Sequence, residues 1–160
     1  MGFFKKDKDA IISEPFMILQ DVGELKKGWA VKVSLYNDHL TLKNFAVKQP
    51  ITLNYSQITD VFYGFMTEIQ EKNKSTIGRA MAGGLLFGGA GAIVGAMTAN
   101  GKKEKKVSKF MFIISYTSSK GEECFLQFED TRLWKGKKLS KTLKGLCNIE
   151  EKEKEVITEL

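Results

Sequence analysis

The chain has 160 residues and a formal net charge of +6. Its length predicts one domain with appendages, large enough to bury a core. The positive balance suits anionic partners such as lipid head groups or nucleic acid. Cys124 and Cys147 lie far apart without metal-ligand spacing. This spacing predicts free buried thiols and excludes a secreted disulfide scaffold.

The first ten residues, MGFFKKDKDA, are basic but lack the apolar run of a signal peptide. A Met-Gly start is typical of myristoylation, but Lys6 occupies the position where Ser or Thr is expected. We therefore expect a cytoplasmic protein, or one at the inner face of the membrane.

Five strands are predicted before residue 66. Residues 16–22 form a short apolar run that ends at a glycine. In residues 29–36 apolar and smaller or polar side chains alternate, which is the period of a half-buried strand. Asn37 and Asp38 supply turn chemistry, and His39–Lys43 returns as the partner strand of a hairpin. The other two predicted strands cover residues 51–53, after Pro50, and 58–65.

Residues 78–101, GRAMAGGLLFGGAGAIVGAMTANG, interrupt this β pattern with a glycine-rich apolar insert. Its glycines fall at i, i+4, i+7 and i+11, which is one stripe of a helix and contains G-x-x-x-G twice. Glycine costs a helix interior about 1 kcal/mol relative to alanine, so this helix needs a partner or a membrane. Large apolar residues distinguish the insert from a polar linker. The glycines of the stripe are Gly84, Gly88, Gly91 and Gly95.

Topology limits how the insert can meet a bilayer. Twenty helical residues would rise about 30 Å, which is just enough to cross. The few Leu, Ile, Phe and Val residues contribute only about −2 kcal/mol toward insertion. If strands on both sides of the insert pair in one domain, both of its ends lie on the same side of the membrane. This favours a helical hairpin that turns near residues 88–91, although one continuous helix fits the stripe equally well.

After the insert, residues 110–116 and 122–128 are predicted as an antiparallel strand pair joined by the turn TSSKG. Asp130 or Thr131 is placed to cap a helix that runs to about Cys147. The apolar face of that helix consists of Leu139, Leu143 and Leu146.

The predicted helix is strongly basic. Between Arg132 and Lys144 there are six basic residues and no acid. Such a face is either solvated or attracted to anionic lipid, the latter worth about 1 kcal/mol for each Lys or Arg near the surface. Residues 148–160 are predicted to form a charged C-terminal extension.

Seven strands followed by one amphipathic helix is the order of a small, partly open barrel with a helical cap. Over residues 15–147 the sequence resembles the bacterial and phage PH-like domains, which are related in fold to PH and GRAM domains. The resemblance is carried by WAVKVSLYNDHLTLK, ITLNYSQITDVFYG and FMFIISYTSSKGEECFLQF. The insert RAMAGGLLFGGAGAIVGAM is similar to the glycine-rich hydrophobic insert that a subset of these domains carries.

The resemblance implies a mainly β fold of the α+β kind. In that fold a seven-stranded, partly open PH-like barrel is capped by a C-terminal helix, and a glycine-rich helical hairpin is inserted between strands five and six. It also implies a binding and assembly module that associates with membranes or protein partners, rather than a catalyst. A phosphoinositide pocket needs clustered basic residues after the first strand, and the loop at residues 24–27, Glu-Leu-Lys-Lys, departs from that pattern.

Catalytic and cofactor signatures are weak. The G-x-G-x-x-x-G in the insert lacks the preceding strand, the βαβ unit and the later acid of a dinucleotide site. His39 is the single histidine, which argues against a catalytic dyad or a zinc site. Asp21, Asp60 and Asp130 fall at strand ends or turns, where acids more often cap backbone groups. The sequence therefore predicts no enzyme, no metal and no cofactor.

The leading hypothesis is a non-enzymatic module that associates with an anionic membrane surface, or with other copies of itself, through the insert. Its alternatives are a soluble homo-oligomeric scaffold and a module for a protein partner, and a nucleic-acid binder is the least favoured. The packing positions are Gly84, Leu85, Leu86, Phe87, Gly88, Gly91, Ile93, Val94 and Gly95. The anionic-surface contacts are Arg79, Lys102, Lys103, Lys105, Lys106, Arg132, Lys135, Lys137, Lys138 and Lys141.

Overall fold

A computed structural model of the chain describes residues 8–65, 77, 80, 110–132 and 135–149. The described residues form one seven-stranded antiparallel sheet followed by a helix. The elements are β1 (Ile12–Ile18), β2 (Ala30–Leu35), β3 (His39–Lys43), β4 (Ile51–Asn54), β5 (Ile58–Phe65), β6 (Phe110–Thr117), β7 (Glu123–Asp130) and α1 (Lys137–Leu146).

The strands lie in the order β4-β3-β2-β1-β7-β6-β5, and every neighbouring pair is antiparallel. The two edge strands, β4 and β5, are consecutive in the chain and are joined by the short 3-10 turn Tyr55–Gln57. A connection this short requires the sheet to curl so that its edges approach each other. The ladder between β1 and β7 is brief and pairs Met17 with Glu129 and Ile18 with Phe128.

The main core lies on the inner face of this curled sheet. Alternate residues of the strands point inward, as the strand period of two requires. Phe16, Phe112 and Phe128 form its centre, with ring centroids 4.9 to 5.9 Å apart. Leu139 and Leu143 of α1 belong to the same cluster and are fully buried. The helix therefore covers one end of the core, as its leucine spacing predicted.

The observed strands confirm the predicted strands two to seven within two residues at either end. The prediction of strand one at residues 16–22 was wrong, because β1 begins at Ile12 and ends at Ile18. Pro15 lies inside β1, opposite Lys32 of β2. A proline is tolerated there because the pairing of β1 with β7 begins only at Met17. The N–H that Pro15 lacks therefore removes no hydrogen bond to β7.

The predicted start of the helix was also wrong. Its N-cap residue is Gly136, which has no capping side chain, rather than Asp130 or Thr131. Asp130 nevertheless accepts a hydrogen bond of 2.7 Å from the Gly136 N–H, across the intervening loop. Beyond the helix, Asn148 has a left-handed φ of 56° and the Ile149 N–H donates to the Lys144 carbonyl. This arrangement ends α1 by a C-terminal capping pattern.

Of the predicted helical hairpin in residues 78–101, only Ala80 lies among the described residues. Ala80 and Ile77, which precedes the insert, both have helical conformation. Among the described elements, no helix is long and apolar enough to span a membrane.

Candidate functional site

The two ends of the interruption meet at one point of the sheet. Phe65, the last residue of β5, pairs directly with Phe110, the first residue of β6. Their rings stack with centroids 4.4 Å apart, and the Tyr63 ring lies 5.7 Å from that of Phe110. The chain thus leaves the sheet after Phe65 and rejoins it at Phe110, beside its point of departure. This is the same-side geometry that the topological argument required.

A second apolar cluster lies on the outer face of β5, β6 and β7. Met111 and Ile113 alternate with the inward Phe112, so they point away from the main core. We call this cluster the outer-face cluster, and its buried members are Phe62, Ile77, Ala80, Met111, Ile113 and Phe125, with Leu19 packed against them. The helical residues Ile77 and Ala80 expose only 1% and 4% of their surface. Ile77, just before the glycine-rich insert, and Ala80, near its start, therefore pack against the sheet.

Sequence reasoning missed the outer-face cluster, although a signal for it was present. The run FMFII in β6 is apolar at every position, which is typical of a strand buried on both faces. A half-buried strand would have shown alternation instead. The unbroken run reflects burial on the outer face as well, where Ile77 and Ala80 pack against Met111 and Ile113.

Asp130 connects the loop before α1 with the strands β5 and β6 that flank the interruption. Its carboxylate is 2% exposed and accepts hydrogen bonds from the Tyr63 hydroxyl at 2.6 Å and from the Gly136 N–H at 2.7 Å. The Arg132 N–H donates to its other oxygen at 3.0 Å. Asp130 is also the ladder partner of Phe110. The loop before α1 therefore lies next to the place where the insert returns to the sheet.

The basic residues of the C-terminal region surround this loop and helix. Arg132 precedes α1 and forms an ion pair with Glu14. Lys135 is exposed before the helix, and the exposed lysines of α1 are Lys137, Lys138 and Lys141. These five predicted contacts thus lie close together in the chain, on the loop before α1 and on α1 itself. Arg79 and the lysines at 102, 103, 105 and 106 lie outside the described residues, as do all nine predicted packing positions of the insert.

The loop that would hold a phosphoinositide in many PH domains is built differently here. Leu25 is fully buried and forms a backbone bridge with Val22, so it anchors the loop to the core. Asp21 accepts a hydrogen bond of 2.8 Å from the Lys27 N–H. The exposed charges of residues 24–27 are one acid and two lysines. This mixed set does not form the basic cluster that a polyphosphate would need.

Other reactive side chains are used within the fold. His39 stacks on Tyr36 and lies 2.6 Å from Asp38, and this hydrogen bond lowers the pKa of the Asp38 carboxyl. Cys124 and Cys147 are free and only partly buried. Burial raises the pKa of the Cys147 thiol to about 11, so the reactive thiolate is disfavoured. Within residues 8–65, 110–132 and 135–149, no group of three or more His, Cys, Asp or Glu could hold a metal.

Comparison with known proteins identifies the family of this chain. Neither a curated protein nor a solved structure matches the chain significantly. One family model, described as the glycine zipper containing PH domain, matches residues 23–129. The match begins after β1 and continues through the interruption to the end of β7, so it includes both the sheet and the glycine-rich insert. The chain therefore belongs to the family of PH domains that contain a glycine zipper.

Proposed function

We propose that the protein is a non-enzymatic binding and assembly module that engages an anionic membrane surface, or another copy of itself, through its glycine-rich insert. Membership in a PH-like family supports an interaction module. The observation that carries the proposal is the meeting of two features at one end of the sheet. The chain that carries the insert leaves the sheet at Phe65 and rejoins it at Phe110. Asp130, the ladder partner of Phe110, accepts a hydrogen bond from Gly136 at the start of the basic helix.

The two features would contribute different energies. The insert offers apolar side chains such as Ile93 and Val94, together with two G-x-x-x-G pairs that allow close backbone packing. Lysines beside it would each add about 1 kcal/mol of attraction near an anionic surface. Neither contribution alone gives stable attachment, because the insert is poor in large side chains. Together they favour a partner with an apolar interior and a negatively charged surface, and an anionic bilayer has both.

Co-sedimentation with lipid vesicles tests the proposal. We would compare the parent with Ile93→Asp/Val94→Asp on vesicles that contain anionic lipid and on purely zwitterionic vesicles. Each aspartate adds about 3 kcal/mol to the free energy of insertion at a helix centre, so the bound fraction of the variant should fall by more than about tenfold. Equal sedimentation of parent and variant on anionic vesicles would contradict a role for the insert in binding.

Self-association is the second candidate, and the paired G-x-x-x-G motifs favour it. In this alternative, inserts from several copies would bury their glycine faces against each other without lipid. Light scattering in detergent-free buffer distinguishes the two. A defined oligomer that the double variant Gly91→Leu/Gly95→Leu converts to a monomer would support assembly, whereas a monomeric parent that binds vesicles would support the membrane.

A further inference from the structure

The outer face of β5, β6 and β7 is covered, although one face of an antiparallel sheet commonly meets water. Phe62, Met111, Ile113 and Phe125 each expose 9% or less of their surface. Ser115, a polar outward residue of β6, is fully buried as well. The cover therefore extends over all three strands.

Among the described residues, the helical pair Ile77 and Ala80 supplies part of this cover. One isoleucine and one alanine are too few to cover a face three strands wide. Complete burial of a face three strands wide requires more of the chain to pack there. Ala80 lies inside the glycine-rich insert, and the glycine stripe of that insert begins four residues later, at Gly84.

We propose that the outer face of β5, β6 and β7 is a docking surface for the chain's own insert, occupied by residues 77–88. On one face of a helix, residues recur at steps of three and four. Ile77 and Ala80 begin such a face, and it continues at Gly84 and Gly88. Glycine has no side chain, so at these positions a helix backbone can lie close against the sheet.

The dimensions of the sheet agree with this assignment. A helix rises about 1.5 Å per residue, and neighbouring strands lie about 4.8 Å apart. A helix that runs across the strands therefore covers the distance from β5 to β1 with about ten residues. The apolar cluster has the same extent, from Phe62 of β5 to Leu19 just after β1. The first glycine pair, Gly84 and Gly88, thus packs on the sheet, and the second pair, Gly91 and Gly95, remains for a partner. The assignment stands whether or not the protein binds a membrane.

Hydrogen–deuterium exchange of the full chain, in buffer without lipid or detergent, tests this assignment with matched variants. Gly84→Leu/Gly88→Leu inserts two side chains between helix and sheet. Gly91→Leu/Gly95→Leu makes the same chemical change at the second pair and serves as the control. The first variant should speed exchange of the β6 and β7 amides by at least about tenfold, because local opening follows the loss of packing. The β2 and β3 amides should be unchanged in both variants.

If both variants speed exchange equally, or if neither does, the assignment is overturned. Should the leucine variant of the first pair fail to fold, Gly84→Ala/Gly88→Ala gives a smaller perturbation at the same positions. It should still speed exchange in β6 and β7 more than Gly91→Ala/Gly95→Ala does. Vesicle binding of the same proteins is measured separately, so a failure of the membrane proposal leaves this result interpretable.

Discussion

At Gly136, the addition of a single methyl group should measurably lower the free energy of unfolding. A Cβ atom there would lie 2.5 Å from the Phe16 ring and 2.8 Å from the Asp130 carboxylate. Overpacking of this kind costs about 1 to 3 kcal/mol, so Gly136→Ala should lower the free energy of unfolding by that amount in a urea titration. Gly145→Ala is the control, because nothing lies within 4 Å of its new Cβ. An unchanged Gly136→Ala midpoint would show that the contact with Phe16 is not tight.

The hydrogen bonds of Asp130 could be predicted from the sequence only in part. Its position at a strand end predicted an acid that accepts backbone N–H groups, and the hydrogen bonds from Arg132 and Gly136 confirm this. The bond from Tyr63 could not be predicted, because it joins residues that are brought together only by the pairing of β5, β6 and β7.

Cys147 and Tyr55 predict how stability depends on pH. Burial raises the pKa of Cys147 from 9.0 to about 11, and burial also raises the pKa of Tyr55. The unfolded chain therefore releases these protons at lower pH than the folded chain does. The free energy of unfolding should fall as pH rises from 9.0 through about 11.

Urea midpoints at about pH 8, 9, 10 and 11 check this dependence. Cys147→Ala should show a shallower fall than the parent over that range, because a group with a raised pKa has been removed. A parent midpoint that stays level or rises between pH 9.0 and about 11 would contradict the expected sign.

The strands β5, β6 and β7 carry apolar residues on both faces, and this element tests whether the outer-face cluster stabilises the fold. Phe62→Ala removes a ring that is 3% exposed and should lower the free energy of unfolding by about 3 to 5 kcal/mol. Phe45→Ala makes the same chemical change at a loop residue that is 82% exposed, and should shift it by about 0.5 kcal/mol or less. Similar losses in the free energy of unfolding for both variants would contradict a stabilising role of the outer-face cluster.

Local sequence patterns predicted the elements better than the surfaces they share. Alternation in β2 and turn chemistry at Asn37 and Asp38 identified the hairpin of β2 and β3, because these signals lie within a few residues. The burial of Met111 and Ile113 depends on Ile77 and Ala80, which are more than 30 residues away in the chain. A signal of that range is not contained in strand periodicity. The glycine stripe indicated a helix that needs a partner, but not what that partner is.

The distribution of charge over the molecule predicts where it meets an anionic surface. Lys137→Glu/Lys138→Glu/Lys141→Glu removes two charges at each position and brings the net charge from +6 to zero. Each lysine near the surface contributes about 1 kcal/mol, so binding to anionic vesicles should weaken by more than about tenfold. Flotation of vesicles with bound protein, at low and moderate salt, measures the loss and its ionic-strength dependence.

The matched control reverses three exposed lysines in other loops, Lys26, Lys27 and Lys120, and gives the same net charge. If α1 faces the membrane, this control should lose less than about threefold in binding, because it leaves the three lysines of α1 in place. Equal losses in the two variants would indicate that net charge, rather than the basic helix, drives binding.

The central claim is that the glycine-rich insert is the element that contacts lipid or another copy. An environment-sensitive fluorophore attached at Ile93→Cys, in a chain with Cys124→Ser and Cys147→Ser, reports on this directly. The label should shift its emission to the blue on anionic vesicles, with quenching by brominated lipid, or on concentration without lipid if copies assemble. A label at Lys120→Cys should show neither change. Emission at position 93 that stays typical of water under both conditions would contradict the account.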